Sequence, residues 1–152
     1  MKLVLNSNTY SDYAEGLHDV VDMIATYGQY IFIPSIVLGE LSYGFMKGRR
    51  QQFNERKLRQ IINQLKIEVI DVNIDVARRY AAIYLSLETK GSKIPINDVW
   101  IAAGCMEVGG TLLTRDNHFK LVDRIESVVL KNQRISSINR GSFFGYRWIL
   151  TY

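Results

Sequence analysis

The chain has 152 residues, 47% apolar and 22% charged, with a formal net charge of +4. Those values describe one globular domain able to bury a sizeable core, and they exclude an intrinsically disordered chain. No apolar run approaches the roughly 20 residues that span a bilayer, MKLVLN is too short for a signal peptide, and the single cysteine, Cys105, excludes an intramolecular disulfide.

A reducing, cytoplasmic setting without a membrane partner is therefore expected. The charge is unevenly spread. From Gln133 onward there are three arginines (134, 140, 147) and no acid, leaving 16 bases against 15 acids in the body. Within that body, KGRRQQFNERKLR, Lys47 to Arg59, holds six bases and one acid. Such a cluster is either a solvated helix face or a footprint for phosphates.

Strands and helices are expected to alternate. Lys2 to Leu5 reads as a short buried strand that stops at Asn6-Ser7-Asn8. Leu17, Val20, Val21, Ile24 and Tyr27 follow helical spacing, Tyr30 to Ile33 is a second strand ended by Pro34, and Ser35 is an expected N-cap for a helix reaching about Phe45. A further helix carries Leu58, Ile61, Ile62 and Leu65 on one face, and Ile67 to Val72 is a β-branched third strand. Val76, Tyr80, Ile83, Tyr84 and Leu87 mark another amphipathic helix. After Lys90-Gly91-Ser92, Ile96 to Val108 is apolar on nearly every face, so this helix should be central, with Cys105 in the core and Gly109-Gly110 ending it. Thr111 to Thr114 and Ser127 to Leu130 supply two more strands. The pattern predicts a three-layer α/β/α domain with a mainly parallel central sheet over residues 1–132, followed by a basic aromatic tail, 133–152, that reads either as an extension or as a contact for RNA, a membrane surface or a partner.

Three acids sit against this pattern. Glu40 shares a helix face with Ile36, Val37 and Tyr43. Asp98 lies in the first turn of the most apolar helix, and Asp116 follows strand TLLT at a carboxyl edge, where α/β sheets place their sites. A lone first-turn acid also complements the helix dipole, and Arg115-Asp116-Asn117 also reads as a turn. Three inward acids repel one another, and an oxygen-seeking Mg²⁺ or Mn²⁺ ion is the economical counter-charge. Glycine-rich phosphate loops are absent from the sequence, and His18, His118 and Cys105 form no zinc spacing.

Residues 1 to about 130 resemble a PIN-domain ribonuclease, specifically a VapC-like toxin of a bacterial toxin–antitoxin pair. The segments that carry the resemblance are LVLNSNTYSDY, IPSIVLGELSYG, IPINDVWIAA and LLTRDNHF. The resemblance implies a PIN-like fold and a metal-dependent endoribonuclease, with Glu40, Asp98 and Asp116 as ligands of one or two Mg²⁺ or Mn²⁺ ions. It implies Asn8, Thr114 and Arg115 as supporting or substrate-contacting residues. It also implies a cytoplasmic protein with an RNA substrate, transfer RNA being the family-level expectation, a cognate antitoxin and a homodimer. The family's first acid falls at residue 6, where this chain has Asn6. Loss of that charge implies an impaired enzyme; the alternative is a non-catalytic module that binds RNA or antitoxin on the same scaffold. A receiver-like phosphotransfer domain fits less well, because it wants an acid at the end of strand one and Asp12 lies well beyond it.

Overall fold

A computed structural model describes residues 1–131. The tail beginning at 133 lies outside the described residues. In chain order the elements are β1 (Lys2–Leu5), α1 (Ser7–Ala14), α2 (His18–Tyr27), β2 (Tyr30–Pro34), α3 (Ser35–Lys47), α4 (Gln51–Leu65), β3 (Glu68–Ile70), α5 (Ile74–Thr89), α6 (Ile96–Val108), β4 (Thr111–Thr114), a 3₁₀ turn (Asn117–Leu121) and β5 (Glu126–Val129). The five strands form one sheet in the order β3-β2-β1-β4-β5, and every neighbouring pair is parallel. The expected three-layer α/β/α architecture is the observed one.

The middle strands explain why. Leu3, Val4, Leu5, Leu112 and Leu113 are fully buried, as a parallel strand covered on both faces requires. β1 aligns Leu3 with Ile31 on one side and with Thr111 on the other. Helix α6 is the buried helix its composition promised: Ile101, Ala102, Ala103 and Cys105 are almost wholly enclosed. Its small residues let it lie close to the sheet, where a Cβ added at Gly104 would already touch Ile70 Cγ2 at 3.4 Å. Gly109 ends the helix in the left-handed conformation (φ 60°), which carries little strain without a Cβ.

Two local expectations, the Ser35 cap and the length of the third strand, need correction, and one helix had no expectation at all. Helix α1 was not visible as apolar periodicity, because it is eight residues long and begins through polar side chains: Asn6 and Thr9 form a reciprocal capping box. Ser35 is the first residue of α3 and not its cap; Pro34 precedes it without a side-chain bond. The third strand is shorter than Ile67 to Val72, because β3 is an edge strand paired only with β2. Tyr27 and Tyr84 follow helical spacing yet are exposed, since an amphipathic tyrosine at the rim keeps its polar end in water.

Cys105 offers a direct report on this packing. It is fully buried, and burial, followed by the charge of Glu126, pushes its thiol up to about 12. Alkylation at mildly alkaline pH should therefore proceed only through opening of the fold, and its rate should rise in parallel with loss of helical circular dichroism in denaturant. Rapid labelling of the fully folded chain would contradict this packing.

Candidate active site

Connections from β1 through β2 to β3 run toward one edge of the sheet, and those from β4 to β5 run toward the other. The reversal between β1 and β4 opens a crevice at their carboxyl ends, the usual ligand position in such sheets. Asn6 follows β1 and Asp116 follows β4, so both stand at that crevice. Helices α3 and α6 begin at the same edge, and they bring Glu40 in the second turn of α3 and Asp98 in the first turn of α6.

Each acid is held by a donor. Ser7 Oγ donates to Glu40 Oε1 at 2.8 Å, and Asn97 Nδ2 approaches Oε2 at 3.4 Å. Asn8 Nδ2 donates to Asp116 Oδ2 at 2.9 Å, while the backbone N–H of Asp116 donates to Thr114 Oγ1 at 3.0 Å. His118 Nε2 lies 2.6 Å from Asp98 Oδ2. Burial pushes the Asp98 carboxyl up to about 6; His118 opposes the rise, and the negative charges of Asp116 and Glu40 add to it. The three acids, separated by up to 76 positions in sequence, thus act on one another electrostatically.

Asn6 is 3% exposed and fully engaged. Its Oδ1 accepts from the Thr9 backbone N–H at 3.2 Å, and its Nδ2 donates to Thr114 Oγ1 at 2.7 Å. Thr114 Oγ1 thereby accepts two bonds, from Asn6 and from the Asp116 N–H, and its own O–H no longer has residue 6 as acceptor. Turning the amide over would give that O–H an acceptor but set Nδ2 against the Thr9 N–H. Thr9 donates to residue 6 on one side, and on the other stands the Thr114 hydroxyl, which accepts from the amide here and could donate to a carboxylate in its place. An aspartate here would accept from Thr9 and from Thr114 together, and 2.7 Å is an ordinary O–H···O separation.

A family model for the PIN domain matches residues 11–125. The chain belongs to the PIN domain family. This PIN domain is 36% identical over 102 residues to Ribonuclease VapC2 of Rickettsia felis, a match covering 67% of this chain and 73% of that protein. It is 28% identical over 93 residues to Ribonuclease VapC5 of Mycobacterium tuberculosis, covering 61% of this chain and 69% of that protein. Its fold matches the crystal structure of VapBC2 from Rickettsia felis bound to a DNA fragment from the promoter, with a TM-score of 0.76 at 27% identity, over 85% of this chain and 98% of that one. Among PIN domains, it is VapC-like.

Of the residues singled out in the sequence, the PIN domain brings Asn6, Asn8, Glu40, Asp98, Thr114 and Asp116 to one edge. Arg115 is placed differently. Its side chain is only 11% exposed, and its guanidinium is taken up by Asp12 of α1 and by Asp19 of α2, the latter at 3.0 Å, and also donates to the carbonyl of Lys131 at 2.6 Å. It braces the turn that carries Asp116 instead of facing the acids. Sequence reasoning missed Ser7, Asn97 and His118, each bonded to one of the acids. Only the position of His118, two residues after Asp116, offered a signal, because its partner lies 20 residues away on another element.

Among the described residues, no three histidine, cysteine or acidic side chains are grouped so as to hold a metal ion by themselves. The carboxylate and amide oxygens at this edge do have the donor chemistry of a hard divalent cation. Residue 6 links them, since it precedes the donor to Glu40 and shares Thr114 with Asp116.

Proposed function

We propose that this PIN domain is a VapC-type endoribonuclease toxin, acting in the cytoplasm with a cognate antitoxin, and that Asn6 leaves its catalytic site impaired. The reading rests on one observation: Asp98, Asp116 and Glu40 act on one another electrostatically at the edge where residue 6 lies between the Thr9 N–H and a Thr114 hydroxyl able to bond either an amide or a carboxylate. Glu40, Asp98 and Asp116 would hold Mg²⁺ or Mn²⁺ directly or through bridging waters, with the Asn6 carbonyl oxygen as a weak fourth donor. Such an ion, when bound, supplies a nucleophilic water and neutralises charge developing on the phosphate. The chain's own residues orient the donors. Ser7 and Asn97 fix Glu40, Asn8 fixes Asp116, and His118 fixes Asp98, as supporting bonds around ligands do.

Relatives named as ribonucleases, and a structural neighbour that is a VapBC complex, support an RNA substrate and an antitoxin partner. Transfer RNA is the first substrate class to test. A homodimer is proposed with them, and light scattering of the purified chain measures it directly.

The alternative is a non-catalytic module that holds RNA or antitoxin without cutting. Its supporting observation is that Asn6 is satisfied as a helix cap in a closed hydrogen-bond network. Incubation of the chain with total transfer RNA and Mg²⁺ or Mn²⁺, beside a chelator control, tests residual cleavage. Cleavage as fast as that of a carboxylate variant at position 6 would overturn the impairment.

A further inference from the structure

A crevice lined by carboxylates repels the phosphates it is meant to cut, so cations elsewhere must draw the strand in. Arg115, the cation nearest the acids in sequence, is committed to Asp12 and Asp19. Outside Lys47–Arg59 and the tail, the chain has fourteen acids against ten bases. The cations that remain are concentrated on the α3–α4 hairpin.

Their arrangement continues from the site. Glu40, Tyr43 and Lys47 are spaced i, i+3 and i+7 and so run along one face of α3. Lys47 Nζ stands 5.1 Å from the centre of the Tyr43 ring, and that tyrosine is half exposed. Across the turn, Arg50 lies 4.1 Å over the ring of Phe53, which is 41% exposed. On α4, Asn54, Leu58 and Ile61 face inward, and the opposite face offers Gln52, Arg56, Arg59 and Asn63, all exposed and without an acid among them. Ion pairs among the described residues leave out Lys47, Arg49, Arg50, Arg56 and Arg59. Lys57 is excluded from the argument because its ammonium donates to the Ala14 carbonyl. Solvated helix faces usually mix the two signs of charge; this one presents cations, amides and exposed rings, the groups that hold a single strand by its phosphates and base faces.

We propose that the outer face of the α3–α4 hairpin is the track for single-stranded RNA flanking the site, with Lys47, Arg56 and Arg59 on phosphates and Phe53 beneath a base. The proposal rests on the ribonuclease reading and names where that substrate lies. Glu40 to Lys47 spans about 10 Å of helix, so the track begins beside the acids.

Fluorescence anisotropy of a labelled single-stranded RNA, with the full chain in chelator between about 50 and 200 mM salt, tests it. The variant K47Q/R56Q/R59Q should reduce the steepness of log K against log salt by about 2, near 0.7 for each lost phosphate contact. Phe53→Ala should weaken binding roughly tenfold with the slope retained. The control R78Q/R124Q, exposed arginines on other parts of the fold, should change neither. Unchanged slope and affinity in a folded triple variant would overturn the track and leave the hairpin to a protein partner.

Cleavage in the Asn6→Asp background separates the two readings. Cutting whose KM ignores the triple substitution sinks the track and keeps the nuclease. A slope lost without any cutting keeps the track and sinks the nuclease.

Discussion

The Asn6→Asp variant is expected to cut RNA in Mg²⁺ or Mn²⁺ at least about 100-fold faster than the parent, and to stop cutting in chelator. The size follows from ligand chemistry: losing a bond that merely supports a ligand costs roughly 10–100-fold in metal affinity or activity, and here a full charge at the ion is restored. The substitution should fit without rearrangement. An oxygen replaces Nδ2 2.7 Å from Thr114 Oγ1, the threonine hydroxyl rotates to donate to it, and the Asp116 N–H keeps its place on the same oxygen. A second signature should accompany activity. A fourth carboxylate adds to repulsion that already helps to raise Asp98, so the variant should melt below the parent in chelator. Added Mn²⁺ should raise its melting temperature more than it raises the parent's, because an ion that binds only the folded state stabilises by mass action. If both proteins stay folded and neither cuts a broad RNA panel, the binding module becomes the better reading.

Removing Arg115 should be the most damaging single change to stability outside the apolar core. Arg115→Met leaves Asp12 and Asp19, 18% and 25% exposed, without their shared cation. Breaking a buried ion pair from one side costs roughly 3–5 kcal/mol, and the residual solvent contact of both acids places this case near the lower end. Urea denaturation monitored by circular dichroism measures it.

The loss should depend on pH in a definite direction. Burial already raises the Asp12 carboxyl despite the opposing pull of Arg115. Without the cation the rise becomes larger. An acid raised in the folded state binds a proton more readily there than in the unfolded chain. Its protonated form thus favours folding, and that advantage is lost as pH rises through the folded pKa. The gap between Arg115→Met and the parent should be widest at neutral pH and narrow as the pH falls toward the ordinary carboxylate range. A gap that widens on acidification would show that the arginine acts by packing and not by charge.

Element types were largely readable because they depend on local periodicity. β1, α6 and β4 begin and end where their apolar runs do, and α6 read as buried since no face of it is polar. Helix α1 was hidden, since a short helix started by a polar capping box shows no such period. The acids were legible for a different reason: a carboxylate inside an apolar pattern is costly, so Glu40 and Asp98 stood out before any fold was known.

By itself the sequence determined the alternation of strands and helices, the three acids against the pattern, and an amide at the end of the first strand. Those are properties of a residue and its near neighbours. The tertiary structure alone decided the partnerships: Thr114 facing Asn6 across 108 positions, His118 turned onto Asp98, and Arg115 drawn away to Asp12 and Asp19. The physical reason is that parallel β1 and β4 become neighbours only when the intervening helices cross over the sheet. Until then neither the Thr114 partner of residue 6 nor the repulsion at Asp98 exists.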